Sequence, residues 1–369
     1  MRKIAVIGMT NNPGGVETYL MNFFSAMNEN YKIIFININP DSGIAYQDDI
    51  LSRGGEIFSA DNEYSLKSYF NRTGVAKRIL ERVNADIVYI NALTTNSAYW
   101  VSAARDLDIP AVYHSHNASE VFSSRLKRMI SNTLKPRNQR ILKSATCLSA
   151  SYESGKFMFN NAKSTVIYNS IDPIKWKFNT KSRLKIRDDL GIDTHKKLII
   201  MVSRLSKQKN VVRAVRILKS IIEQDDSYRC IVVGDGDLKE QVVEEINDLN
   251  LEKYVKLLGR RNDVPELMFG SDMLLLPSLF EGLPFVVIEA QGAGLPVVAS
   301  EGVVPDVANV TKEIFKISLE QSNKVWAEKI LKVELNDISK RLEMNREINE
   351  SAFSLSFYNQ KIKSIFDNL

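Results

Sequence analysis

LFEGLPFVVIEAQGAGLPVVAS, residues 279–300, carries two carboxylates eight positions apart, Glu281 and Glu289. Gly282, Leu283 and Pro284 follow the first, and an apolar run leads to the second. Proline suits the first turn of a helix, where its missing N–H would have no partner anyway. Gly294 suits the end, as a left-handed cap. The stretch therefore predicts a strand over 273–276, a loop bearing Glu281, a helix over about 284–293 and a strand over 296–300. Both glutamates can then face the crevice beyond the carboxyl ends of parallel strands, where open α/β sheets bind ligands. Amides near Phe285 and Val286 would turn the positive end of the helix dipole toward an anion. A helix with two solvated glutamates has the same local pattern, so the rest of the chain has to decide.

The composition sets bounds. At 369 residues the chain fits two domains of ordinary size. With 44% hydrophobic and 25% charged residues it reads as a soluble globular protein with ample core. A net charge of +5 is too mild to argue for nucleic acid. Cys147 and Cys230 are far apart and lack metal-ligand spacing, which indicates a reduced compartment. No apolar run reaches the ~20 residues that span a bilayer, and MRKIAVIGM reads as a strand rather than a signal peptide. A cytoplasmic location is expected, peripheral at the inner face of the cell membrane.

Short buried runs alternate with helical patterns throughout. Strands are predicted over 3–8, 32–38, 86–90, 111–114, 145–149 and 165–168, with a clear helix over 65–83. In the second half they fall at 197–203, 229–233, 255–258, 273–276 and 296–300. Such alternation implies doubly wound parallel sheets. The pattern breaks around 169–196, which places a first domain at 1–170, a linker at 171–196 and a second domain at 197–352. After Asp306 the signal fades into helices. The last segment, 353–369, is amphipathic and is expected to cross back onto the first domain.

Four constellations could carry chemistry. The loop NNPGGVE lacks the G-x-G-x-x-G dinucleotide pattern, but Gly14 and Gly15 could present amides to a phosphate at a helix start. His114 and His116, two of only three histidines, sit at the end of a strand in VYHSHN. They would point the same way only if the strand continues, and no further Cys or His joins them as a metal set. Arg204 and Lys209 span the turn after a strand in SRLSKQKN, a rigid fork and a point charge suited to phosphate. GDGDLKE at 234–240 is a weaker, turn-like signal. Lastly, residues 121–150 hold Arg125, Lys127, Arg128, Lys135, Arg137, Arg140 and Lys143 with no acid, among apolar residues. That surface would meet anions, either lipid headgroups or a phosphorylated acceptor.

Glu-x7-Glu opposite an Arg/Lys pair, with the GGVE loop, resembles glycosyltransferase family 4, whose members are retaining and share the GT-B fold of two doubly wound Rossmann-like domains facing across a cleft. HSHN and EAQGAGLP are similar to members that build exopolysaccharide or capsule. The resemblance covers nearly the whole chain. It implies a nucleotide-sugar donor, a UDP-sugar by preference, and a lipid-linked saccharide acceptor. It also implies an anionic inner-leaflet surface as partner, and no metal or other cofactor. Arg204 and Lys209 would hold the diphosphate, Glu289 the ribose hydroxyls, and Glu281 the donor sugar. The backbone of Gly282, Leu283, Pro284, Phe285 and Val286 would run along sugar and diphosphate. His116, six residues after Pro110, would touch the donor sugar, with His114 as the second match. Gly259 and Arg260 fall where backbone recognises the base, and Asn169 falls near the cleft. The stretch 302–319 departs from the family's glycine-rich pattern. A nucleotide-sugar epimerase on the same fold, a dehydrogenase and a catalytically silent binding protein are the competing classes.

Overall fold

The apolar runs become strands, and every strand pairing among the described residues is parallel. The computed structural model describes residues 1–38, 42–60, 71–117, 125–160 and 163–369, without the side chains of 125–128 and 130. The first sheet contains β1 (Lys3–Ile7), β2 (Lys32–Asn37), β3 (Glu56–Ser59), β4 (Ile87–Ala92), β5 (Ala111–Ser115), β6 (Thr146–Ser149) and β7 (Thr165–Val166), in the order β3-β2-β1-β4-β5-β6-β7. The second contains β8 (Lys197–Val202), β9 (Tyr228–Val233), β10 (Val255–Gly259), β11 (Met273–Leu276), β12 (Val297–Ser300) and β13 (Ile314–Ile317), in the order β10-β9-β8-β11-β12-β13. In each sheet the chain winds outward one way and then reverses beside its first strand. The switch points lie between β1 and β4 and between β8 and β11, the places where such sheets take ligands.

The backbones crowd at the carboxyl ends of the strands, and two glycines permit it. Gly8, at φ +115°, lies where a Cβ would sit 2.2 Å from the Asn91 carbonyl oxygen. Gly234, at φ +132°, has the Ser203 carbonyl oxygen 1.9 Å from the same position. No side chain fits either backbone conformation or either gap.

Two strands escaped the sequence reading. β3, EIFS, is only partly buried and ends in polar residues, so it offers no buried run. β13, IFKI, lies where the sequence pattern fades into helices, but it pairs with β12 as an edge strand from Val297↔Ile314 to Ser300↔Ile317. The helix expected over 65–83 is Arg72–Val83, with the Asn71 side chain capping Gly74 N–H at 3.2 Å. Residues 65–70 of that expectation lie outside the described residues.

The chain forms two compact units, Met1–Asn169 with Phe357–Leu369, and Ser170–Ser356. The terminal helix Leu355–Asp367 brings Tyr358 and Phe366 onto the first unit's aromatic core, with ring centroids 5.5 Å from Tyr19 and 5.1 Å from Phe23. The Tyr31 hydroxyl donates to Asp367 at 2.6 Å.

The segment expected as a linker is instead built into the second unit. Its helix Thr180–Asp189 carries Arg183 and Arg187, which pair with Asp272 at 2.6 and 3.3 Å. Asp272 also accepts from Leu198 N–H at 2.7 Å, which ties the start of β8 to this pair. Arg341, from the helix Ile338–Asn349, donates to the carbonyls of Met268, Phe269 and Ser271 at 3.0–3.3 Å. Arg183 and Arg187 reach carbonyls of the same 269–271 turn. The end of the helix Val264–Gly270, where carbonyls lack intrahelical partners, is thus closed by three guanidiniums. Burial holds Arg341 down to about 9. Removing the one carboxylate of this cluster leaves Arg187, 1% exposed, without its counter-charge. Asp272→Ala should therefore destabilise the second unit by about 3–5 kcal/mol in urea unfolding, and a loss below 1 kcal/mol would show the carbonyls to suffice.

Candidate functional site

In the second unit the site is assembled from the turns after β8 and β11. The turn Lys207–Lys209 follows β8, and the loop to Glu281 follows β11. Although 72 residues apart, Lys209 Nζ and Glu281 Oε1 meet at 2.6 Å. This pair is sheltered, with side chains 21% and 6% exposed. An ammonium has three N–H bonds, so pairing with one carboxylate oxygen leaves Lys209 donors for a second anion. Arg204 is different. Its side chain is 62% exposed and lies 3.3 Å from both oxygens of an equally open Asp237. An exposed pair of that kind is weak and exchangeable.

The helix Phe285–Gly292 begins one residue later than expected. Pro284 is its N-cap, in an extended conformation, and no side chain caps the first turn. The first amides, at Phe285 and Val286, are thus left to a ligand or water. Gly282 is exposed and Leu283 half-buried just ahead of them. Gly294 closes the far end at φ +75°, as a left-handed cap, and a Cβ there would strike Arg341. Glu289 lies on the second turn, partly buried. Desolvation raises its carboxyl to about 7, against the opposing charge of Lys175. Gly259 ends β10 at φ +64°, with its carbonyl accepting from Gly234 N–H at 2.8 Å, and Arg260 beside it is exposed.

In the first unit, Gly14 is the N-cap of the helix Gly15–Met27, and both glycines are exposed. The buried Glu17 of that first turn accepts from Thr10 N–H at 3.3 Å and from its hydroxyl at 2.6 Å. A Cβ on Gly14 would come within 3.0 Å of the Glu17 carboxylate. The loop after β1 is therefore folded around this glutamate, which the sequence reading did not single out.

The two histidines do point the same way, because the ladder continues past β5: His116 N–H donates to the Ala92 carbonyl at 3.2 Å. Their ring centroids are 4.3 Å apart. Their roles separate sharply, however. His114 is 0% exposed, so the expectation that it binds donor is corrected: it cannot touch a ligand in this structure. Its Nδ1 lies 2.8 Å from the Tyr89 hydroxyl, which lies 2.8 Å from that of Tyr19. Burial and the adjacent His116 hold it well below the ordinary imidazole range. His116 is partly open, pairs through Nε2 with Asn91 Oδ1 at 2.9 Å, and is pushed down to about 3 by burial. It is a neutral imidazole at pH 7 and carries hydrogen bonds, not charge. Asn169 ends the first unit half-buried, with its Oδ1 enclosed and without a partner.

Of the residues that sequence reading missed, Asn91 carries a signal: it is the polar member of the buried run IVYINA. Gln208 and Lys175 carry none, because each lies in a polar stretch where its neighbours look alike.

Comparisons with known proteins bear on the family and the fold. Residues 13–175 match the family model described as Glycosyltransferase Family 4, and residues 182–353 match the one described as Glycosyl transferases group 1. The chain is 29% identical over 332 residues to the glycosyltransferase EpsF of Bacillus subtilis, covering 86% of this chain and 84% of that one. It is 31% identical over 238 residues to UDP-Gal:alpha-D-GlcNAc-diphosphoundecaprenol alpha-1,3-galactosyltransferase of Escherichia coli, covering 60% and 59%. Among solved structures it is similar to HepE of Anabaena in complex with UDP, at a TM-score of 0.80 and 20% identity over the full length of both chains. The UDP-glucose complex of the same protein gives 0.77 at 19%, again over both full lengths. At such identity the likeness carries the fold alone.

The raised Glu289 carboxyl makes a test that needs no ligand. Its folded value of about 7 exceeds the unfolded one, so the native state holds this proton more tightly. The group therefore costs no stability below about pH 4 and costs progressively more as pH rises through 7. Urea unfolding of Glu289→Gln against the parent should show the variant gaining relative stability between pH 4 and pH 8. A difference independent of pH would mean that Glu289 titrates normally.

Proposed function

The chain belongs to glycosyltransferase family 4, and from that premise we propose that it moves a hexose or N-acetylhexosamine, with retention of configuration, from a UDP-sugar to a lipid-linked glycan. Its place is exopolysaccharide or capsule synthesis, with the protein peripheral at the cytoplasmic face of the membrane. The observation that carries the donor half is the meeting of Lys209 and Glu281 at 2.6 Å, at the switch point of the second sheet and ahead of an uncapped helix start. The acceptor half draws support from the relative whose name specifies a diphosphoundecaprenol-linked acceptor.

The chemistry follows from charge. As the bond between the sugar carbon and the phosphate oxygen breaks, its electron pair goes to the diphosphate. Arg204, Lys209 and the amides of Phe285 and Val286 are fixed positive groups that stabilise this charge without reorganising. The acceptor hydroxyl attacks from the face that the diphosphate leaves, and its proton passes to a phosphate oxygen. Glu281 orients Lys209 and meets sugar hydroxyls; it needs to be neither nucleophile nor base. Glu289 accepts from the ribose hydroxyls. Protein cations take the part that a divalent metal plays elsewhere, so no metal is required.

The acid-free helix Arg125–Leu142 supports the membrane half. Arg137, Arg140 and Lys143 are exposed, as are the apolar Met129 and Leu134. Lys135 Nζ sits 3.7 Å over the Phe157 ring. Each exposed cation near an anionic leaflet contributes about 1 kcal/mol, enough in combination for reversible docking. Among the described residues no helix is long and apolar enough to cross a membrane.

A panel of nucleotide sugars with an undecaprenyl-diphosphate-linked saccharide, read by mass spectrometry, should show one sugar transferred, with full activity in EDTA. Loss in EDTA with recovery on Mg²⁺ would refute the metal-free site, and an isomerised nucleotide sugar with no transfer would mean epimerisation. Arg204→Ala and Lys209→Ala should each lower kcat/KM by the equivalent of about 2–4 kcal/mol; near-parent values in both would remove them from the diphosphate. Flotation with vesicles should show binding that grows with anionic lipid and falls with salt. The triple change Arg137→Glu, Arg140→Glu and Lys143→Glu should abolish it, and unaltered binding would leave the helix an ordinary solvated face.

A further inference from the structure

Gln208 lies between two lysines, and its contacts set it apart from both. Its carbonyl accepts from Leu279 N–H at 2.8 Å. Its side-chain Nε2 donates to the Phe280 carbonyl at 2.9 Å and lies 3.5 Å from Glu281 Oε2. The residues on either side extend the same seam. Lys209 meets Glu281 Oε1, and Asn210 Nδ2 donates to the Pro277 carbonyl at 3.1 Å. Asn210 adopts φ +54°, the bend that carries the chain from the turn Lys207–Lys209 into the helix Val211–Ile222. Three consecutive residues after β8 therefore hold four of the five residues 277–281 after β11.

The seam matters because the held loop has little else to fix it. Pro277 and Ser278 are buried, but Leu279 and Phe280 expose 41% and 44% of their surface, so burial of those two side chains does not set the course of the peptides that lead to Glu281. Hydrogen bonds to the loop's backbone from the turn after β8 are what remain. The Phe280 carbonyl belongs to the peptide that joins Phe280 to Glu281. A trans peptide is planar, so fixing its carbonyl also fixes the opposed N–H of Glu281 and the direction in which that residue leaves the plane. Gln208 also approaches the carboxylate oxygen that Lys209 does not take.

We propose that Gln208 is a positioning residue for sugar transfer: it locks the 280–281 peptide so that Glu281 meets the donor sugar while Lys209 keeps donors for the diphosphate. This rests on the donor-site reading above. It names a residue that acts through Glu281 and touches no reacting atom. The distinctive consequence is a split between sugar and diphosphate. Loosening the clamp disorders the group that contacts the sugar, whereas the diphosphate keeps Arg204 and the helix amides.

Gln208→Met keeps the length of the side chain and removes the donor. In the ligand-free protein it should speed amide hydrogen exchange across 279–283 with the rest of the second unit unchanged. By calorimetry UDP should bind as it does to the parent, while UDP-glucose binding and the transfer rate should fall about tenfold or more. A residue with only a structural role would lower both ligands together and shift exchange across the whole unit, and that result overturns the proposal. Unchanged exchange and unchanged transfer, in a protein whose parent binds both nucleotides, overturns it alone. A parent that binds neither nucleotide overturns the donor-site reading, and the positioning role falls with it.

Discussion

A parallel sheet has to be covered on both faces, and that one constraint shapes this chain. Parallel neighbours cannot be joined by tight turns, so each strand is followed by a crossover, mostly helical, that returns the chain to the amino end of the sheet. Every carboxyl end then becomes the start of a loop into a helix. Where the winding reverses, between β8 and β11, two such loops leave side by side with no crossover between them. Lys209 and Glu281 can meet there for that reason alone: the strands beneath them are neighbours, paired from Met273↔Ile199, although the chain between is long. The site is a product of the winding before it is a product of any side chain.

The same constraint explains what was legible in the sequence. Central strands are buried on both faces and read as apolar runs, which is why 273–276 and 296–300 could be placed almost to the residue. β3 and β13 lie at sheet edges, with one side of the ladder unpaired, and carry polar or charged residues that blunt the signal. The segment 171–196 looked like a linker because its residues are polar. Its polarity is instead turned inward, where Arg183 and Arg187 find Asp272 and a helix end. Periodicity detects apolar burial and is blind to a buried ionic cluster. The histidines show the converse limit. The sequence left open whether both share a face, since that depended on the strand continuing, and it could not tell that Tyr19 and Tyr89 close over one and leave the other partly open.

Arginine is used in two opposite ways in the second unit. Arg187 and Arg341 are enclosed, and backbone carbonyls at a helix end surround them, so their charge is consumed by the fold. Arg204 is open and, among the described residues, its ion pair is with an exposed carboxylate, so little would be lost if that pair broke. The difference comes from position relative to the sheet. The enclosed arginines surround the turn that leads into the amino end of β11, where bare carbonyls collect. Arg204 stands beyond the carboxyl end of β8, among loops and the amino ends of helices. Net charge and composition cannot separate these two populations, and the strand order does.

The two glutamates of the opening stretch are separated by the same geometry. Glu281 precedes the helix and is drawn into a sheltered pair with Lys209. Glu289, two turns on, has no such ion pair among the described residues; the positive charge of Lys175 opposes the shift, and desolvation dominates. One carboxylate is thereby kept by a cation, and the other is poised to give up its burial cost to the first donors that reach it. Ribose hydroxyls are such donors, neutral and paired, and they would satisfy a desolvated carboxylate without adding charge. The two carboxylates of one short stretch thus answer to opposite surroundings, one held by a cation and the other raised by its own burial.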